Sequence, residues 1–265
     1  MDATKPAERQ KSSLPILSAL VLACLGIVLA YFGYVLGTVS LNVIEFAGTA
    51  MFWFAVVYLL LERPLHGAAR TFSKYVRTTF GMAVFALYMA IHLLLYGFLL
   101  EAILASIYGS SIFAATPGLF ITTNVFLPPS LTSAAFDLAY NPTISITAPP
   151  VFSAALSFYS VSVALVIAIL VIANLGKTKE LGALRTARRM ARTFVVLPAL
   201  GIVLGASCCI SVAGLLSLAS PAGSVLTSSP WIYYATYFLL PCVAMVLLYL
   251  NLRSVENITA GLKST

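Results

Sequence analysis

Few side chains of this sequence could do chemistry, and His92 is the first to consider because it lies within a long apolar run. A polar residue at membrane depth usually faces the protein interior and is often functional. His92 could ligate haem, with a second axial ligand from Met51, Met245 or another chain. The alternative is a hydrogen bond between helices. We expect the hydrogen bond and predict no cofactor, with haem kept as the alternative.

The adjacent thiols of Cys208 and Cys209 are the second candidate, because vicinal cysteines can bind soft metal ions. Neighbouring helical residues point about 100° apart, however, so one ion does not reach both sulfurs easily. Gly201, Gly205 and Cys209 recur at four-residue intervals and predict a face of small residues for close helix contact. Packing is therefore the favoured interpretation and a metal site is the alternative.

Three carboxylates, Glu45, Glu101 and Asp137, lie in the segments between the basic ones. Two of them, Glu45 and Glu101, could line a pathway or join helices together with His92. The three carboxylates could form a vestibule that attracts cations, or they could all be solvated. We favour solvated carboxylates.

Common motifs of nucleotide-binding and hydrolytic sites are absent from the sequence. It contains no Walker sequence, no His-Glu-x-x-His, no glycine-rich phosphate loop and no plausible Ser–His–Asp set. We predict no catalytic residue and expect no catalytic activity of the chain's own.

The basic residues have an uneven distribution that predicts how the chain is threaded. All 15 Lys and Arg residues fall in 1–13, 62–79, 177–193 and a tail with Arg253 and Lys263. Two apolar runs lie in each of the three intervals between these segments, six runs in all. Because cytoplasmic loops of membrane proteins carry the excess of bases, both termini are expected in the cytoplasm of a cell-membrane protein.

Composition supports the same class. The chain has 265 residues, of which 61% are hydrophobic and 9% charged, whereas a soluble domain carries about 25% charged residues. The net charge of +7 does not indicate a nucleic-acid partner, because the bases flank apolar runs where lipid headgroups lie. We predict an all-α integral membrane protein in one domain, 1–265, a bundle of six transmembrane helices. The helices are expected at about 14–37, 41–61, 80–107, 151–175, 194–219 and 231–252.

The segment 108–150 is predicted to be a long, ordered outer loop between the third and fourth helices. It contains six of the 13 prolines and no base. The stretches 119–127 and 143–147 have strand-like composition, and the second alternates strictly between polar and apolar residues. We expect a cap, with a short β-hairpin, that covers the helix bundle or a partner subunit.

The second basic segment is predicted to form a short amphipathic helix over 180–194, with its arginines on one stripe: Arg185, Arg188, Arg189 and Arg192. The stripe could be an orientation anchor in contact with lipid phosphates, which we favour. It could also belong to a coupling helix that docks on a cytoplasmic partner such as an ATPase subunit. The run 179–185 resembles the cytoplasmic loop of some ABC permeases over seven residues, which assigns no family.

These features predict a permease-type subunit that takes part in transport with a partner protein. Pro241, in the middle of the last predicted helix, should kink or loosen that helix, as a gate would require. The scarcity of polar lining favours the alternative, a non-catalytic or electron-transfer-associated membrane subunit of a larger, respiratory-type complex. The expected partners are the lipid bilayer and other membrane or cytoplasmic subunits.

Overall fold

The structure, a computed structural model, describes residues 14–36, 42–92, 118–122, 138–139, 142–148, 152–183, 198 and 238–264. Within them the chain is largely helical, with one small sheet. Three helices of this described part are long and apolar enough to cross a membrane: Pro15–Gly33, Val43–Glu62 and Phe158–Ala183. A membrane protein is the class that these helices indicate.

Six helices and three strands make up the described part. The helices are α1 (Leu14–Leu36), α2 (Asn42–Glu62), α3 (His66–Val76), α4 (Thr79–Ala90), α5 (Phe158–Ala183) and α6 (Leu240–Ser264). The strands are β1 (Gly118–Thr122), β2 (Thr143–Ala148) and β3 (Phe152–Ser157). The predicted helices at 14–37 and 41–61 are confirmed by α1 and α2, and the predicted start near 80 by α4.

α1 and α2 form an antiparallel hairpin in which the two backbones touch. A Cβ atom added at Gly26 would lie 2.7 Å from the carbonyl oxygen of Gly48, and one at Gly48 would collide with the backbone nitrogen of Ala30. Close backbone approach at small residues is a main source of helix association in lipid, where the hydrophobic effect does not drive helices together. These glycines therefore set the spacing of the hairpin.

α5 is the central helix of the described bundle. Sixteen of its 26 residues are buried, and it contacts α2, α3, α4 and α6. A helix that is apolar on all sides is stable only when other helices or lipid surround it. Edge-to-face aromatic contacts join its start to α2, with ring centroids 4.9 Å apart for Phe46 and Phe158 and 5.1 Å apart for Trp53 and Tyr159.

α6 runs parallel to α5. Near the start of both helices, the rings of Tyr159 and Phe238 lie 5.2 Å apart. Near the end of α5, Leu181 packs with Val255. The end of α5 and the start of α6 consequently lie at opposite ends of the bundle.

The sheet is antiparallel throughout, in the order β1-β2-β3, and its register gives it two different faces. Leu119 pairs with Ile146, and Ile144 pairs with both Ile121 and Leu156, so these side chains share one face. Thr143 and Ser157, which pair with each other, lie on the other face. The predicted hairpin strands are confirmed over 119–122 and 143–147, and β3 is an addition to them.

The predicted start of the fourth helix at 151 is wrong, because 152–157 forms β3 and the helix begins at Phe158. The boundary is held by a reciprocal cap. Ser157 Oγ accepts a hydrogen bond from the Ser160 amide at 3.2 Å, and Ser160 Oγ accepts one from the Ser157 amide at 3.0 Å. Such a cap satisfies amides that a helix start leaves unpaired. The end predicted at 175 is also wrong, since α5 continues to Ala183.

Two more boundaries differ from the prediction. The basic segment 62–79, predicted as a loop, contains helix α3. The last helix, predicted to end at 252, continues to Ser264 because Val255 and Thr259 are buried on the side that faces the rest of the protein. The predicted helix at 194–219 and the arginine stripe lie outside the described residues, apart from residue 198.

We expect Gly48→Ala to lower the stability of the protein by about 1–3 kcal/mol, since overpacking a close contact forces the helices apart. Gly67→Ala is the matched control: a Cβ at Gly67 meets nothing within 4 Å, and alanine favours the α3 helix. Thermal unfolding in detergent measures both. Equal midpoints for the two variants would contradict close packing at Gly48.

Candidate functional site

The basic residues of the described part lie together at one end of the bundle, where α3 is fixed to the end of α5 by the carboxylate of Glu180. Glu180 Oε1 accepts hydrogen bonds from Lys74 Nζ at 2.8 Å and from the Tyr75 hydroxyl at 2.7 Å. Glu180 Oε2 accepts one from Lys177 Nζ at 3.2 Å. We call this arrangement the Glu180 clamp and this part of the bundle the basic end.

Tyr75 fits into the clamp because two glycines leave room for it. Its ring lies against Gly176 on α5, where an added Cβ would collide with the ring. Its carbonyl lies against Gly81 at the start of α4, where a Cβ would collide as well. Burial, together with the hydrogen bond to the negatively charged Glu180, raises the pKa of the Tyr75 hydroxyl above its usual value of 10. The hydroxyl therefore remains a donor at any physiological pH.

α3 is amphipathic, and its polar face is basic. Ala68 and Thr71 are buried against the bundle, and Phe72 packs on Phe85 with ring centroids 5.9 Å apart. The exposed bases at this end are Arg63, Arg70, Lys74 and Arg77, with Lys179 on α5 and Arg253 on α6. A helix with this division of residues is suited to a membrane surface or to a charged partner.

α6 extends the basic end beyond the apolar part of the bundle. Its residues 253–264 cover about 18 Å at 1.5 Å per residue. Val255 packs on Leu181 of α5, with Ile258 and Leu262 beside it. The extension is therefore held against the end of α5 and leaves Ser254, Asn257 and Ala260 exposed.

A pair of buried asparagines connects α5 and α6 inside the bundle. Asn174 Nδ2 donates to the carbonyl oxygens of Leu170, at 2.7 Å, and of Leu248, at 2.9 Å. Asn251 Nδ2 donates to Asn174 Oδ1 at 2.7 Å. Amide side chains in an apolar interior are costly unless they are hydrogen-bonded. This network therefore specifies how the two parallel helices are aligned along their axes.

His92 and Glu45 are both buried, but at separate places. His92 lies in a π-helical turn that follows α4, with its Nδ1 2.9 Å from the hydroxyl of Tyr88. This contact joins two residues of one helix, four positions apart, so it is not the hydrogen bond between helices that was predicted. Glu45 is only 1% exposed and lies against Gly33 of α1, so the prediction of a solvated carboxylate is wrong for this residue.

Pro241 lies in the first turn of α6, directly after a π-helical turn at 238–239. Proline has no amide hydrogen to donate, and a π turn is a common accommodation at such a position. The other predicted site residues lie outside the described residues: Glu101, Asp137, Cys208, Cys209, Gly201, Gly205, Arg185, Arg188, Arg189 and Arg192. Within the described residues, no three His, Cys, Asp or Glu side chains converge as a metal site would require.

The asparagine pair and the Glu180 clamp were not predicted, although the sequence contains a signal for each. Asn174 and Asn251 are amides next to apolar runs, as expected of interhelical hydrogen bonds. Glu180 is an acid among bases, which indicates a local ion pair. Neither signal identifies the partner, because Tyr75 and Glu180 are 105 residues apart in the chain.

Comparison of this chain with known protein families, with curated proteins and with solved structures finds no match.

We expect Asn174→Leu and Asn251→Leu each to destabilise the protein, with a coupling energy of about 0.6–2 kcal/mol in a double-mutant cycle, as for other polar contacts between membrane helices. Ser254→Ala on the exposed side of α6 is the control, with an expected change within about 0.5 kcal/mol. Unfolding in detergent measures the four proteins of the cycle and the control. Strict additivity of the two asparagine variants would contradict the network.

We expect Glu180→Gln to loosen α3, because it removes the ionic character of the bond from Lys74, the lysine of the clamp that lies on α3. This pair is partly exposed and is worth about 0.2–1 kcal/mol. Hydrogen–deuterium exchange should rise over 66–76 and stay unchanged over α1. Glu256→Gln replaces a carboxylate of α6 that is not part of the clamp and is the matched control. Unchanged exchange of 66–76 in Glu180→Gln would mean that apolar contacts alone hold α3.

Proposed function

We propose that this protein is a permease-type subunit of the cell membrane that takes part in transport together with a partner protein at its basic end. In this proposal the basic end faces the cytoplasm, in agreement with the excess of bases in cytoplasmic loops. The observation that carries the proposal is the extension of α6 at that end, which packs against the end of α5.

The extension has the mechanical property that a coupling surface needs. α6 is one continuous helix from the apolar bundle to Ser264, so a displacement of its end is transmitted along its axis. The asparagine pair fixes α6 to α5 within the bundle, and the Glu180 clamp fixes α3 to the end of α5. A partner bound to this end would therefore move the spanning helices α5 and α6 and the surface helix α3 as one unit.

The parallel direction of α5 and α6 supports the proposed six-helix threading. Because both helices point towards the basic end, the connection from Ala183 to Phe238 has to return to the opposite end. The apolar run 194–219 is the segment of suitable length for that return. The start of α4 lies at the end of α5, where Lys179 Nζ is 5.7 Å from the centre of the Phe80 ring, so α4 runs antiparallel to α5. With this direction and with the hairpin of α1 and α2, the proposed threading puts both termini in the cytoplasm.

A second candidate function is a non-catalytic or electron-transfer-associated subunit of a larger complex. It is supported by the sides of α5, which are filled by apolar side chains and carry few polar groups beyond Asn174. A polar solute would find no continuous polar path along α5 in the described part of the chain. Transport in the first candidate therefore needs either an apolar substrate or a pathway that is shared with another subunit.

Extraction in a mild detergent, followed by identification of the bound subunits, separates the two candidates. We expect an ATPase subunit to co-purify. We also expect this subunit to be cross-linked to the Asn257→Cys variant through the new cysteine on the extension. Ala86→Cys, exposed on the apolar side of α4, is the matched control and should give no cross-link to it. Both variants are made in a chain without its four native cysteines.

Oxidase or cytochrome subunits in the same preparation, or a Soret band that His92→Ala removes, would contradict the permease and favour the second candidate. A partner cross-linked from Ala86→Cys but not from Asn257→Cys would contradict the position of the coupling surface.

A further inference from the structure

A groove of about 640 Å³ lies between α1, α2 and α5, on the side of α5 away from α6. Along α2 it extends from Ala50 to Leu61, with Leu22 of α1 on one side and Ser162 and Leu165 of α5 on the other. Its volume falls in the range of roughly 300–1,000 Å³ that is usual for sites of small ligands. Phe54 at its mouth is 68% exposed, so the groove opens away from the protein.

The lining of the groove is suited to hydrocarbon. Trp53 contributes its ring, but its only donor is occupied, because Nε1 donates to the carbonyl oxygen of Leu138 at 2.6 Å. The hydroxyls of Tyr58 and Ser162 are the other polar groups of the lining side chains. A polar solute would lose more hydration here than these groups could replace.

The length and direction of the groove match one membrane leaflet. The 11 steps from Ala50 to Leu61 cover about 17 Å along the helix axis. A hydrocarbon core of about 30 Å gives each leaflet about 15 Å. Because Leu61 is the end nearer α3, the groove spans the leaflet on the side of the basic end.

The charge at that end selects the headgroup. Arg63 follows Leu61 by two residues, in the turn after α2, and its side chain is exposed. Arg70 and Lys74 on α3 add positive charge to the same end. Bases at the end of an apolar groove between membrane helices attract lipids with anionic headgroups.

We propose that this groove binds one acyl chain of an anionic phospholipid from the leaflet at the basic end, with the lipid phosphate at Arg63. The bound chain fills the space between the hairpin of α1 and α2 and the central helix α5, which touch each other mainly near the start of α5. The lipid thereby becomes part of the packing between these two units. This inference does not depend on the proposed transport function.

The test uses the full-length protein in phosphatidylcholine vesicles that contain a phosphatidylglycerol probe with a diazirine in its acyl chain. After photolysis, we expect adducts on α2 and α5 at the groove residues Met51, Phe54 and Leu165. A phosphatidylcholine probe with the same acyl chain should label these residues about fivefold less, the effect expected of one base near an anionic headgroup.

Two pairs of variants test the two ends of the lipid. Ala50→Phe fills the groove and should abolish the groove adducts, whereas Ala47→Phe, exposed on the same helix outside the groove, should leave them unchanged. Arg63→Gln should lower labelling by phosphatidylglycerol to the level of the neutral probe. Arg77→Gln removes an exposed base at the far end of α3 and should have little effect.

Equal labelling by the two probes in the unmodified protein would overturn the proposal, since it would indicate ordinary surrounding lipid. Adducts outside the groove alone, or a cross-link that places another segment of this chain in the groove, would overturn it as well. The probe results on the unmodified protein decide the question even where Ala50→Phe does not fold.

Discussion

An α-helix with apolar side chains on every side has no face for water, and the arrangement of this protein follows from the need to enclose such a helix. α5 pairs its own backbone groups internally, as a segment in lipid must. Its side chains are then covered by α2 at one end, by α3 and α4 at the other and by α6 along its length. The hairpin of α1 and α2 contributes through α2, while α1 remains largely exposed.

The few polar groups inside this bundle determine how its helices are aligned, rather than adding to the attraction between the helices. Apolar surfaces can slide along one another at little cost, whereas an amide that leaves its partner in an apolar medium loses a hydrogen bond. Asn174 and Asn251 therefore fix one axial alignment of α5 and α6. Glu180 has the equivalent role at the basic end, where it directs the surface helix α3 to one position through Lys74 and Tyr75.

The same physical considerations connect the proposed partner surface on the α6 extension with the proposed lipid groove. A partner at the extension of α6 would act on a helix that is held rigidly to α5. The contact of α5 with the hairpin is looser and contains a groove suited to an acyl chain. In the proposed arrangement, α3, α5 and α6 form one rigid unit beside the hairpin of α1 and α2, and the proposed acyl chain lies at the junction. Relative movement of these units would be easiest at that junction.

The sequence alone determined the membrane class, the positions of α1 and α2, the start of α4 and the strand character of 119–122 and 143–147. These properties depend on local composition and periodicity, which need no knowledge of neighbours. Hydropathy misplaced the start of the fourth predicted helix at 151, because residues 152–157 are as apolar as the start of a helix. Only the cap of Ser157 and Ser160 marks the true boundary. Hydropathy also failed at 62–79, where an amphipathic helix has too little total hydrophobicity to be detected as a span.

Only the tertiary structure decided which polar residues meet. Glu45 is buried because Gly33 of the neighbouring helix leaves room for it, and Tyr75 reaches Glu180 because Gly176 has no side chain. Each of these contacts joins residues that are far apart in the chain or on different helices. The sequence states which residues are polar or small, but the distance between two of them is set by the packing of the helices that carry them.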